Sequence, residues 1–208
     1  MNRFTIFIKS NKTIWTNNRV IYTILVSCFS ILFFEKYFLQ IEKSFSDNFF
    51  GGIIVFTLIS GIILKIIGLT KTEPLKGKLE GSIIFEKNSI IANGDVFNLE
   101  KIKNIEISND DYYGKIVNVS RGNFNGALSN GVNNLIKIKL YSGENKFYNY
   151  QLYNSNDFQK IRNELIIYYL NGKIEFENLS NILGEKSKQE IKELKLEIEE
   201  IATTTNHA

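Results

Sequence analysis

The chain has 208 residues, with 25 Lys and Arg against 22 Asp and Glu, one Cys and one His. That length suits a helical hairpin, one domain of about 100 residues and a tail. A single Cys excludes an internal disulfide and a Cys-based metal site, and the only histidine, His207, is at the extreme end, so His or Cys chemistry is not expected. Charge is spread unevenly: residues 1–74 carry 8 Lys and Arg against 4 acids, 75–174 carry 13 against 10, and 175–208 carry 4 against 8. No single domain concentrates positive charge, which argues against a nucleic-acid binder. The abundance of Asn, Ile and Lys reads as base-composition bias without functional weight.

Residues 1–19 form a basic lead-in with Arg3, Lys9, Lys12 and Arg19 and no acid. Phe4, Ile6 and Ile8 alternate with Thr5 and Phe7, so a short strand or an interfacial segment is one reading and a partly ordered lead-in the other. Trp15 stands just before the apolar stretch, where an indole commonly anchors at headgroup level. Residues 20–69 then read as two transmembrane helices. Val20 to Ile41 has Glu35 and Lys36 only near one end, and Phe49 to Leu69 holds one charge, Lys65. Each is long enough for about 30 Å of hydrocarbon. Lys65, one turn from the end, can reach along its helix to the interface. Gly52, Ser60 and Gly61 are small residues suited to helix packing.

The Glu42–Asn48 link is short, which suggests a tight hairpin. Lys and Arg are richer in the two outer flanks than in the link, so both termini are expected in the cytoplasm. Leu25-Val26-Ser27-Cys28 fits the outline of a lipoprotein signal, but the apolar run continues past it, so Cys28 reads as a small helix residue. Residues 70–76 form a linker around Pro74, the only proline.

From Gly77 the pattern becomes short segments of period two: GKLEGSIIFEK, SIIANGDVFNL, KIKNIEISN and GKIVNVS. Asn93-Gly94-Asp95 signals a turn. In KIKNIEIS the apolar spacing predicts a bulge or a late strand start near Lys103-Asn104. Leu135 to Leu152 reads as a hairpin, with Ile136, Ile138 and Leu140 on one face and Lys137, Lys139 and Tyr141 on the other. Phe158, Ile161, Leu165 and Tyr168 recur at helical spacing in a helix stopped at Asn171-Gly172.

Residues 77–174 resemble the pleckstrin-homology-like domains of bacterial membrane proteins, which commonly follow a two-helix hairpin. The resemblance rests on the hairpin, the Pro74 linker, VFNLEKIKNIEIS, LIKIKLYSGENKFYNYQLY and the closing helix DFQKIRNELIIYYL. It implies a membrane α-helical hairpin plus an α+β cytoplasmic domain, an antiparallel barrel or sandwich capped by a C-terminal helix. It also implies the bacterial inner membrane. Phosphoinositide-holding members carry a basic cluster between the first two strands. Here that loop offers only Lys87 beside Glu86, so inositol lipid is not expected.

Residues 175–208 read as an acidic amphipathic helix and a disordered tail from Thr203. Its seam, Ile191, Leu194, Ile198 and Ile201, is either docked on its own domain or open to a partner. Ser120 to Asn134, SRGNFNGALSNGVNN, is either a flexible hairpin loop or a contact surface centred on Arg121 and Phe124, with Asn130-Gly131 as a tight turn. Lys137 and Lys139 are candidate lipid or partner contacts. Asp110-Asp111 reads as a plain loop rather than a metal or acid–base pair. No catalytic group, metal or cofactor is expected. The leading expectation is a non-enzymatic membrane-anchored scaffold that contacts a protein partner. A membrane-surface lipid sensor is the alternative, and an enzyme using Asp, Glu, Ser or Tyr ranks last.

Overall fold

The alternation of Phe4 and Ile6 with Thr5 and Phe7 is the period of a half-buried strand. In the computed structural model, which describes residues 3–41 and 45–205, that segment becomes the middle of a sheet. In chain order the elements are β1 (Arg3–Lys9), α1 (Asn17–Tyr37), α2 (Phe45–Gly68), β2 (Gly77–Glu86), β3 (Ser89–Ala92), β4 (Asp95–Asn98) and β5 (Ile102–Ser108). There follow β6 (Tyr113–Ile116), β7 (Leu128–Asn130), β8 (Asn134–Leu140), β9 (Asn145–Gln151), α3 (Arg162–Leu170), α4 (Phe176–Leu183) and α5 (Lys188–Thr205). The chain divides into two compact units. One takes the residues up to Ser10, then Gly77–Lys115, then Asn130 onward; the other takes Asn11–Lys76 and Ile116–Ser129.

The first unit is built on a seven-stranded antiparallel sheet of order β4-β3-β2-β1-β9-β8-β5. Thr5 pairs with Ser82 on one side and Gln151 on the other, so β1 joins the two halves. The sequence reading leaves residues 1–19 as a lead-in and starts the domain at Gly77. The structure instead puts Arg3–Lys9 between β2 and β9, because without it neither half of the sheet has a neighbour. Phe4 stacks on Phe158 at 4.8 Å between ring centroids and meets Phe85 and Tyr150 edge-on, both at 5.7 Å. The Asn93-Gly94 turn has positive φ at both residues (54° and 92°), as a two-residue hairpin turn requires. The register shift in β5 falls between Ile102 and Asn104, where the sequence predicts a bulge or a late strand start.

The sheet is not a closed barrel. Laid flat, its seven strands would span about 29 Å. Yet its two edge strands, β4 and β5, are joined by a single 3-10 turn, Leu99–Lys101, which rises only about 6 Å. The sheet is therefore strongly curled, and Phe97 of β4 reaches within 6.4 Å of Tyr148 of β9 across the core. Closure fails because the free edge of β5 is already used. Ile105 N donates to Lys173 O at 2.7 Å, Lys173 Nζ donates to Ile102 O at 2.8 Å, and the Asn178 side-chain amide both accepts from Ile107 N and donates to Ile107 O. The barrel expectation fails for this reason, while the antiparallel sheet with C-terminal helices stands.

The C-terminal helices complete the core. Leu179, Ile182 and Leu183 of α4 and Leu194 and Ile198 of α5 are buried in the same cluster as the sheet residues, and Ile201 packs against it half-buried. Gly184 ends α4, and α5 restarts with a capping box: Glu190 N donates to Ser187 Oγ while Glu190 Oε2 accepts from Ser187 N. The sequence reading sees one helix here and misses α4. It also expects disorder from Thr203, whereas α5 runs to Thr205; residues 206–208, with His207, lie outside the described residues. Arg162 of α3 donates to Glu185 at 2.6 Å and Glu197 at 2.7 Å, fastening α5 and its connection.

The second unit is the helix pair. α1 has 21 residues and α2 has 24, about 31 and 36 Å of helix. Both are long and apolar enough to cross a membrane, and only 11% of each apolar window is buried. The first helix stops at Tyr37 rather than Ile41, and the second starts at Phe45 rather than Phe49; residues 42–44 of the link lie outside the described residues. Ile21 and Cys28 are buried on α1, and Thr57, Gly61 and Gly68 on α2.

Candidate functional site

A helix leaves amide groups unsatisfied at its start and carbonyls at its end. In the helix unit some of these groups are met by residues 116–129, which overlap the 120–134 stretch that the sequence marks as unusual. Asn18, in the first turn of α1, is the centre of the contact. Its Oδ1 accepts from Phe124 N at 2.6 Å, its Nδ2 donates to Asn123 Oδ1 at 3.0 Å, and its backbone N donates to Asn125 Oδ1 at 3.4 Å. Asn17 Nδ2 donates to Phe124 O at 3.0 Å. The buried Asn123 also donates to Asn118 O, which folds the loop on itself.

The end of α2 supplies the other wall. Ala127 N donates to Gly68 O at 2.9 Å, and Leu128 N donates to Lys71 O at 3.1 Å. Lys65 Nζ donates to Ser120 O at 3.2 Å and Arg121 O at 3.1 Å. Its charge lies near the C-terminal end of α2, the favourable end of the helix dipole. The sequence reading has Lys65 reach along its helix to the interface; here it reaches the loop carbonyls. Tyr22 OH donates to Gly122 O at 2.9 Å.

Small residues permit this approach. The Phe124 ring edge lies 3.0 Å from the point where a Gly61 side chain would begin, and Ile21 lies 3.6 Å from it. A side-chain carbon on Gly68 would fall 2.7 Å from Asn125 O, and one on Gly126 would fall 2.1 Å from Thr72 O. Glycine is required at both by close contact. Gly52 has no neighbour within 4 Å of that point, so it is not a packing residue; Ser60 is half-buried.

The sequence-chosen contact residues do not form one site. Arg121 and Phe124 sit in the loop on the helix pair. Asn130 is in β7, and its carbonyl accepts from Gln151 Nε2 at 2.9 Å. Lys137 is bound by both carboxylate oxygens of Glu106 at 3.0 Å, and Lys139 is half-buried on the same strand. Ile191, Leu194, Ile198 and Ile201 form a seam turned toward their own domain, with Leu194 fully buried. Asp111 is buried and accepts from Asn133 N at 3.0 Å, holding the turn before β8. The sequence reading misses Asn17, Asn18, Tyr22, Asn118, Asn123 and Asn125. Their signal is the paired Asn17-Asn18 before an apolar run, which the sequence reading leaves unused, and the Asn-rich loop, which it singles out for Arg121 and Phe124 rather than for its asparagines.

The sheet unit has a polar cavity of about 600 Å³ beside β5 and α4. Asn109 and Asn178 face it, but each bonds to backbone, at Ile182 O and Ile107 respectively. Lys115 Nζ likewise donates to Asp110 O. Among the described residues no group of three or more His, Cys, Asp or Glu side chains comes together. Buried tyrosines are tied to backbone: Tyr150 OH donates to Ser108 O at 2.9 Å, and Tyr168 OH points at Glu86 O and Ser89 O. Burial pushes both hydroxyls above the usual tyrosine range. Comparison with known proteins finds no family model, curated protein or solved structure that matches the chain.

Proposed function

We propose that this chain is a non-enzymatic, membrane-anchored binding protein. The helix pair spans the bacterial inner membrane, and the sheet unit, a pleckstrin-homology-like domain, engages a protein partner in the cytoplasm. The observation that carries the anchoring is the pairing of Lys9 with Gly77 in the sheet. These residues flank the helix pair, so both ends of the hairpin start from neighbouring points of one sheet and belong on one side of the bilayer. The basic flanks favour the cytoplasmic side. The exposure of the helices agrees with an anchor: Phe29, Phe33, Val55 and Phe56 are all more than half exposed. That is far more contiguous apolar surface than a water-soluble monomer carries.

The partner reading rests on the outer face of the sheet, where Val96 and Phe147 are 59% and 58% exposed and Leu79 and Leu135 are exposed to 37% and 36%. Affinity capture of the full chain in mild detergent, after crosslinking in its own membrane, is the test. A reproducible partner lost with F147E and V96E supports the reading. A partnerless monomer, or a partner kept by both variants, overturns it.

A further inference from the structure

We infer that residues 116–129, together with Trp15, form a collar that seats in the headgroup layer of an anionic lipid leaflet. This rests on the membrane reading above and adds a third lipid-contacting element to the two helices. Three observations within the helix unit carry it.

The first is depth. Phe124 lies beside Gly61, seven residues before the end of α2, which is about 10 Å of helix rise. Tyr22, bonded to Gly122 O, lies five residues into α1, about 7 Å. The loop therefore climbs the helices to the level where hydrocarbon gives way to headgroups.

The second is satisfaction of its backbone. Irregular chain at that depth is tolerated only when its polar groups are met by protein. The carbonyls of Ser120, Arg121, Gly122 and Phe124 are met by Lys65, Tyr22 and Asn17, and Phe124 N by Asn18. A loop in water needs none of these partners.

The third is the outward surface. Trp15, Ile116 and Val119 are 69%, 67% and 63% exposed, and Val117 is exposed beside them. Arg19, Lys71 and Arg121 are exposed at the same end of the helix pair, with Glu73 half-buried there, while the opposite end carries Glu35 and Asp47 beside Lys36. Aromatic and aliphatic side chains among cations match the interface of an anionic leaflet.

Trp15 is the only tryptophan, so the native chain reports on itself. The full chain is placed in nanodiscs of phosphatidylcholine and phosphatidylglycerol brominated either near the headgroup or deep in the acyl chain. Trp15, and V119W in a W15F background, are expected to emit at shorter wavelength than in detergent-free water and to be quenched more by shallow than by deep bromine. F29W in the same background is expected to be quenched more by deep bromine. Removing phosphatidylglycerol, or raising salt, is expected to weaken quenching of V119W and leave F29W unchanged. F29W quenched while Trp15 and V119W are not overturns the collar and leaves the anchor standing. F29W unquenched overturns both. V119W quenched equally without anionic lipid overturns the charge preference.

Discussion

In the sheet unit, Ile83, Ile90, Ile136, Leu165 and Tyr168 have no exposed surface. In the helix unit, Val26, Phe29, Phe56, Ile62 and Ile66 are each more than half exposed. The two regions invert one rule. The sheet unit hides apolar side chains and turns Lys, Glu and Asn outward, as a domain in water does. The helix unit buries its small and polar groups, Gly61, Gly68, Thr57 and Asn123, and turns its largest apolar side chains outward, as small residues at helix interfaces in lipid do. Within one chain, the solvent each region is built for can be read from which residues it hides.

The contrast breaks most sharply by substitution of one aromatic in each region. F158A removes a ring stacked on Phe4 and flanked by Phe85 and Tyr150, and should cost about 3–5 kcal/mol of sheet stability. F29A, on an exposed helix position, should change it by less than about 0.5 kcal/mol. Chemical denaturation of the detergent-solubilised chain, followed by far-UV circular dichroism, decides this; equal effects would dissolve the contrast.

Next in size is G126A. The added carbon must displace the Thr72 carbonyl, at about 1–3 kcal/mol for overpacking. Hydrogen exchange should quicken at the amides of 117–128 and hold steady across β1 and β9. A smaller effect is expected for R162M. It removes two ion pairs and a hydrogen bond to Gln159 on a side chain only 21% exposed, and the loss, discounted for solvent screening, should be about 1–2 kcal/mol. Faster exchange in α5 with little change in β2 is the result to look for.

Smallest is a pH effect at the start of α5. Hydrogen bonds from Ser187 N, the Ser187 side chain and Lys186 N hold Glu190 below the usual carboxylate range. Because its folded value is depressed, its contribution is complete above the unfolded value and is lost as pH falls through the folded one. Protection of the amides in the first turn of α5, relative to their intrinsic exchange rates at each pH, should therefore fall on acidification, and E190Q should flatten that response.

Local pattern carried much of this fold. Period-two runs place β2 through β5, β8 and β9, Asn93-Gly94 marks its turn, and the apolar lengths mark α1 and α2. What stayed hidden was pairing at a distance. Seven alternating residues at Arg3–Lys9 say strand, but nothing in them says that both neighbours lie beyond residue 76. The loop site was illegible for the same reason: Asn18 and its partners Asn123 and Phe124 lie more than a hundred positions apart. Asparagine also has no periodic signature, since it works by individual hydrogen bonds. The covered edge of β5 depends on Lys173 and Asn178, which resemble any other polar residues in the sequence.

Pairing of Ile6 with Tyr150 has a consequence for how the chain is made. β1 is made well before its second neighbour, which emerges only after both apolar helices and most of the sheet have been synthesised. Until then β1 lacks that partner, and contacts this distant in sequence form slowly. The sheet cannot be completed by any fragment that begins at Gly77.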